Sequence, residues 1–192
     1  MKCDCILAGV GGQGVLSIAA IVAQAAAAEG FSVRQSEVHG MAQRGGAVLA
    51  HLRLSDGTIA GDLVPRGGAD LIISMEPLES LRYLSWLSPG GALVTAAEPV
   101  VNIPNYPGLE EIHNVVKGLD GGRLVEAAAL AKEAGLARAV NMVMVGAASP
   151  YLPVTAEVLE KTIEVIFAAK NSQVPGIAEA NKRAFRYGKN AA

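Results

Sequence analysis

Two short stretches of this chain gather residue types that can do chemistry. The first is "GVGGQGVLSIAAIVAQAAAAEG", residues 9 to 30, with glycine at 9, 11, 12 and 14 and then a run of alanine, valine, leucine and isoleucine. Gly9, Gly11 and Gly14 satisfy G-x-G-x-x-G where a strand ends and a helix begins. Unpaired backbone N–H groups and the helix dipole together favour an anion at such a place. The second is Ser36-Glu37-Val38-His39-Gly40-Met41-Ala42-Gln43-Arg44-Gly45-Gly46, which is denser in functional groups than any other segment. Arg44 offers a planar, two-pronged donor for phosphate or carboxylate, and the glycines beside it let a ligand or a second chain approach the backbone. His39 has a ring that titrates near neutral pH. No spacing here specifies a catalytic triad.

Each stretch also has a plain reading. Glycines between a strand and a helix make a tight turn without any ligand, and a loop histidine is more often a hydrogen-bonding residue than a catalyst. A nicotinamide site would want an acid at the end of the second strand, where Glu37 stands, so a free-standing NAD(P)-dependent oxidoreductase is one alternative. A pure interaction module is another. Cys3 and Cys5, the only cysteines, fall on one face of one strand because side chains alternate with period two. Two thiols so placed cannot wrap a metal, and an iron–sulfur cluster held within this chain is excluded on ligand count. They are expected to be buried, hydrophobe-like residues. His51 and His113 are expected to serve packing or surface roles.

The elements that must hold the two stretches follow from periodicity. Residues 3 to 10 predict a buried strand, 14 to 29 an alanine-rich helix stopped by Gly30, 31 to 38 a second strand, and 47 to 55 a third. Asp56-Gly57 predicts a hairpin that continues into Ile59-Ala60, making the sheet mixed. A strand at 71 to 75 leads to a helix with Pro77 in its first turn, running to about Leu87 and ended by "SPGG". A further strand at 92 to 97 is followed by an irregular crossing with three prolines between 98 and 108. After it come a short helix at 109 to 117, a last strand in "RLVEA" and a helical "AAALAKEAG". Three helices are expected at 137 to 149, 155 to 169 and 177 to 187, with Thr155 as an N-cap. If the first two strands run parallel, both stretches emerge at the carboxyl-end edge of the sheet, where open α/β sheets bind ligands.

Composition bounds the rest. The 192 residues suit one α/β domain. The chain is 51% apolar and only 4% aromatic, which calls for a core of small aliphatic side chains. A net charge of −2 without basic runs gives no reason to expect nucleic acid or an anionic membrane. A mean hydropathy of +0.34 is high for a free-standing domain and points to an obligate partner. No apolar stretch reaches the ~20 residues of a membrane span, and no cleavable signal precedes the first strand, so a cytoplasmic place is expected.

The segments "GVGGQGVLSIAAIVAQAA", "SEVHGMAQRGGAVLAHLRL" and "ADLIISMEPLESLRYLSWLSPGGALV", with "YPGLEEI" and "ARAVNMVMVGA" further on, resemble the gamma-type domain of the 2-oxoacid:ferredoxin oxidoreductases. The version of the second loop written "EVHGMAQRGG" is most similar to the beta-subunit branch of indolepyruvate ferredoxin oxidoreductase. The resemblance implies a three-layer α/β/α fold with a mixed, mostly parallel sheet over a single domain, residues 1 to 192. It also implies a partner, the alpha-type subunit, that binds thiamine diphosphate and iron–sulfur clusters, decarboxylates an aryl 2-oxoacid, passes electrons to ferredoxin and delivers the acyl group to coenzyme A. This chain lacks the G-D-G and paired-asparagine signature of thiamine sites and lacks cluster cysteines, so it is expected to bind no cofactor alone. Coenzyme A is expected at the interface between subunits. Gly11, Gly12, Gln13 and Gly14 are then expected to form one wall of an inter-subunit site, and His39, Gln43 and Arg44 the other.

Overall fold

The computed structural model describes residues 1–39, 45–168 and 174–191. Six strands form one sheet: β1 (Lys2–Val10), β2 (Ser32–His39), β3 (Ala47–Ser55), β4 (Ala69–Ser74), β5 (Leu87–Ala96) and β6 (Gly122–Val125), in the order β2-β3-β1-β4-β5-β6. β1, β4, β5 and β6 pair in parallel, while β3 lies antiparallel between β1 and β2. One reversed strand makes the sheet mixed.

β1 shows why the centre of the sheet reads as an unbroken apolar run. Residues 3 to 10 are all buried, because helices or loops cover both faces of a central strand. Cys3, Cys5 and Leu7 face the larger core beneath α1 (Val15–Ala28), α5 (Val140–Ala148), α6 (Ala156–Ala168) and α7 (Ile177–Asn190). Ile6 faces a smaller core with Ile72, Leu93, Val64 and, from α3 (Leu109–Lys117), Val116. Two short helices, α2 (Pro77–Arg82) and α4 (Ala127–Glu133), complete the set. The result is the expected layered α/β arrangement. Among the described residues no helix is long and apolar enough to cross a membrane.

Small side chains set the helix layer. α1 buries Ala19, Ala25 and Ala26 alongside Ile18, Ile21 and Val22, so its backbone sits close to the sheet. At the α5–α7 crossing a Cβ on Gly146 would stand 2.0 Å from the Phe185 carbonyl oxygen, and one on Gly188 would stand 1.9 Å from that of Val143. Only glycine lets these two helices touch.

Two expectations are corrected. Asp56-Gly57 does not open a hairpin: β3 stops at Ser55 and residues 58 to 60 form no strand. Both edges of β3 are already occupied, by β1 and β2, so no edge is free for a returning strand. The following loop instead packs on the sheet, where the Val64 amide donates to His51 Nδ1 at 3.1 Å and Arg53 donates to the carbonyls of Gly61 and Leu63. "SPGG" likewise does not end a helix. α2 stops at Arg82, a short 3₁₀ turn runs to Trp86, and Ser88 to Gly91 belong to β5, beside a register shift against β4. Gly91 permits that shift, since a Cβ there would lie 2.6 Å from Leu87 Cδ1 and 2.8 Å from the Ala69 carbonyl.

Candidate functional site

The two chemistry-bearing stretches meet at the carboxyl end of β1 and β2. These strands are parallel in direction although β3 separates them, because each is antiparallel to β3. Gly9 and His39 flank the same residue, Val48, from opposite sides, which sets their backbones about 10 Å apart, two inter-strand spacings. The second stretch leaves the sheet at His39 and is described again from Gly45; Gln43 and Arg44 lie outside the described residues.

The loops are hydrogen-bonded to each other. The Gly11 amide donates to the Gly46 carbonyl at 2.8 Å, and the Gly45 amide donates to the Gly11 carbonyl at 3.3 Å. A third contact comes from the crossing between β5 and α3, where Asn102 Nδ2 donates to the Gly45 carbonyl at 2.8 Å.

Glycine is needed in the first loop for separate reasons. At Gly9 a Cβ would meet Val15 Cγ2 at 2.8 Å and Met75 Cβ at 3.0 Å. Gly12 has φ of 101° and is exposed to open space. Gly14, with φ of 85°, is the N-cap of α1 and abuts the Asn141 amide. No side chain caps α1 and its first turn carries no acid, so the positive end of the helix dipole is left uncompensated by the helix's own residues.

Gln13 turns inward. Its Oε1 accepts from the Val10 amide at 2.7 Å, and its Nε2 donates to the Met75 carbonyl at 2.8 Å. The side chain pegs the end of β1 to the end of β4 and sets the shape of the loop, in which Gly12 is exposed while Gly11 is bonded to the second loop through both its amide and its carbonyl. Beside the start of α1 lies a cavity of about 350 Å³, lined in part by Ser17, Arg138, Asn141 and Asn181.

The sequence did not single out an acidic cluster just below this rim. Glu76, 1% exposed, follows β4 and caps α2 by accepting from the Glu79 amide at 2.7 Å. Its other oxygen accepts from the Val100 amide at 3.3 Å and from the Tyr106 hydroxyl. Burial, with the bond to Glu76, raises the pKa of Tyr106 and keeps the phenol neutral. Burial also raises the pKa of Glu79, against the pull of Arg82. An acid directly before a proline at the start of a helix, with Glu79 three positions on, is the signal that marks this cap.

The remaining candidates are structural. Cys3 and Cys5 are buried with their sulfurs 3.5 Å apart, and the Cys3 hydrogen bond followed by burial raises the pKa of the Cys5 thiol. His51 is buried, which lowers its pKa and keeps it a neutral acceptor for Val64. His113 bonds the Ala97 carbonyl at 2.8 Å. Among the described residues no three metal-ligating side chains converge. The dinucleotide alternative fits the topology poorly: Glu37 pairs with Ala50 on a strand two places from β1, whereas a ribose-binding acid stands on the neighbouring strand.

A mixed six-stranded sheet packed against helices, with two glycine-bearing loops hydrogen-bonded together at one edge, defines the class as a layered α/β domain. Residues 4 to 191 match the family model described as pyruvate ferredoxin/flavodoxin oxidoreductase, and the chain belongs to that family. It is a subunit of the 2-oxoacid:ferredoxin oxidoreductase class.

The chain is 38% identical to the indolepyruvate oxidoreductase subunit IorB of Thermococcus kodakarensis, over 97% of this chain and 94% of that one. It is 30% identical to the 2-oxoglutarate synthase subunit KorC of Methanothermobacter marburgensis, over 98% and 96%. The fold is that of the gamma subunit of a keto/oxoacid ferredoxin oxidoreductase from Geobacter sulfurreducens, with a TM-score of 0.70 at 24% identity over 100% of this chain and 96% of that one. It is also that of a 2-oxoglutarate:ferredoxin oxidoreductase from Magnetococcus marinus solved with 2-oxoglutarate, coenzyme A and succinyl-CoA bound. That likeness has a TM-score of 0.74 at 22% identity, covering 100% of this chain and 31% of that longer one.

Proposed function

We propose that this chain is the accessory, gamma-type subunit of a cytoplasmic indolepyruvate or aryl-pyruvate:ferredoxin oxidoreductase, one domain over residues 1 to 192 that is inactive alone. In this reading the alpha-type partner subunit holds thiamine diphosphate and iron–sulfur clusters. Those groups supply the decarboxylation and carry electrons to ferredoxin. This chain closes the site from one side, at the edge where coenzyme A takes up the acyl group.

The observation that carries the reading is the pair of hydrogen bonds joining Gly11 to Gly45 and Gly46. They tie the glycine loop, with the exposed Gly12 and the Gly14 start of α1, to the Gly45–Gly46 stem of the second loop. An uncapped helix start offers positive potential there, and Arg44, one residue before Gly45 in the chain, carries a two-pronged cation of the kind that suits the phosphates of coenzyme A. Gln13 supports the wall from within. The two cysteines, buried together on one strand face, are too few to hold a cluster, which supports a reading in which the redox groups belong to the partner.

The test is Arg44→Ala in the co-expressed complex, assayed with coenzyme A as the varied substrate. Loss of a charge-assisted contact should lower kcat/KM for coenzyme A by roughly tenfold to a hundredfold while the subunits still copurify. Unchanged coenzyme A kinetics in an intact complex would overturn the assignment. Loss of copurification with normal activity in the residual complex favours pure scaffolding.

A further inference from the structure

We infer that the crossing from residue 97 to 108 is a strap that positions the second loop for the inter-subunit site, with Asn102 as the positioning residue and Glu76 as its anchor. The inference rests on the reading above and adds residues that the reading does not use.

The crossing has no regular secondary structure between β5 and α3; Ala97 and Glu98 tie its start to Val125, His113 and Ala128, and the stretch beyond them is fastened at three further points. Two of them converge on one buried carboxylate: the Val100 amide and the Tyr106 hydroxyl both donate to Glu76 Oε1. The other oxygen of Glu76 is occupied by the Glu79 amide. A carboxylate at 1% exposure is tolerated only where donors surround it, and here the donors are neutral groups drawn from the crossing and from α2. The third point is the outer one. Between the two anchored residues, Asn102 reaches across and donates to the Gly45 carbonyl at 2.8 Å, although Asn102 itself is exposed.

Gly45 is the first described residue after the polar segment, and its amide is bonded to the Gly11 carbonyl. A continuous path of hydrogen bonds therefore runs from the start of α2, through Glu76, the crossing and Asn102, to Gly45 and the glycine loop. Nothing in the stability of the sheet requires the Asn102 link, since β3 begins only at Ala47 and is paired on both edges. What the link fixes is where the second loop returns to the rim.

The test uses Asn102→Ala and Tyr106→Phe in the full chain and in the co-expressed complex. In the full chain, hydrogen exchange at the Gly45 and Gly11 amides should accelerate about fivefold in Asn102→Ala, the effect of one modest hydrogen bond. Tyr106→Phe should accelerate the same two amides to a smaller extent, because Val100 still holds Glu76. In the complex, KM for coenzyme A should rise severalfold while KM for the 2-oxoacid stays constant, a split that general destabilisation would not produce.

Unchanged exchange at both glycines overturns the strap. So does faster exchange without any kinetic change when Arg44→Ala does alter coenzyme A kinetics, an outcome that leaves the proposed function standing. If neither Arg44→Ala nor Asn102→Ala moves those kinetics, the functional reading fails and the strap's role fails with it. Should Tyr106→Phe not fold, Asn102→Ala, a change at an exposed residue, still decides.

Discussion

The Gly11 amide and the Gly46 carbonyl, 2.8 Å apart, join two loops that are 35 residues apart in sequence. Next to Gly11 in the chain is Gly12, exposed, with φ of 101° and no atom near its missing Cβ. Replacement by alanine meets no steric obstacle and costs only the left-handed backbone, about 1–2 kcal/mol. Gly12→Ala is therefore expected to fold, with a melting temperature lowered by a few degrees, and to reduce activity of the complex by more than that loss explains. Thermal denaturation of the chain beside turnover of the complex checks both halves. Full activity would remove Gly12 from the site.

Gln13 predicts a different pattern, since its amide is engaged inside the chain. Gln13→Ala leaves the Val10 amide and the Met75 carbonyl without their partner in a partly buried place, at a cost of about 2–3 kcal/mol. Gln13→Glu keeps the acceptor for Val10 but sets a carboxylate oxygen against the Met75 carbonyl, and is expected to lose at least as much at neutral pH. Chemical denaturation measures both. A Gln13→Ala variant of unaltered stability but impaired activity would show the side chain working at the rim instead.

β1 is legible because burial on both faces removes alternation and leaves a bare apolar run; β3 and the amphipathic α3 also fall where their residues predict them, and Gly30, with φ of 85°, ends α1 as expected. The order of the strands was not legible. Nothing local in "AVLAHLRLS" tells that β3 inserts between β1 and β2 with both edges used, so Asp56-Gly57 predicts a hairpin where the chain instead enters a loop packed on the sheet. Gly11, Gly12 and Gly14 stood out by spacing. The links of Glu76 and Asn102 to the crossing and the second loop did not, because they join residues 24 to 57 apart in sequence and no periodicity connects them.

Asp4 and Arg53 give a pH-dependent prediction. Burial alone would raise the pKa of Asp4, but hydrogen bonds from Arg53 and Lys2 outweigh it and hold the carboxyl below its ordinary value. A depressed folded pKa means that the pair stabilises the chain above the unfolded value near 4 and that this contribution is lost as pH falls through the lower, folded value. Arg53→Ala leaves a fully buried carboxylate with Lys2 alone and is expected to cost about 3 kcal/mol at pH 7. In that variant the folded pKa of Asp4 is expected to exceed the unfolded one, so the deficit should shrink on acidification toward pH 4. Urea titrations of both proteins at pH 7 and pH 4 measure it, and a deficit that is equal or larger at pH 4 would contradict the assignment.

Gly146 and Gly188 test the helix layer that backs the site. Each faces a carbonyl oxygen of the other helix at about 2 Å from where a Cβ would stand, and the obstacle is backbone that no rotamer change can relieve. Gly146→Ala and Gly188→Ala must therefore push α5 and α7 apart, with an expected loss of about 3 kcal/mol or more for each. Because the two glycines act at one crossing, the second substitution should add less than the first, as expected for residues sharing one contact. Gly90 supplies the control: a Cβ there meets nothing within 4 Å and its φ is not positive, so Gly90→Ala is expected to change stability by less than about 0.5 kcal/mol. Near-neutral Gly146→Ala and Gly188→Ala variants would mean that α5 and α7 do not cross as closely as described, and α1, which packs against α5 in the same core, would lose the support that fixes its start at the rim.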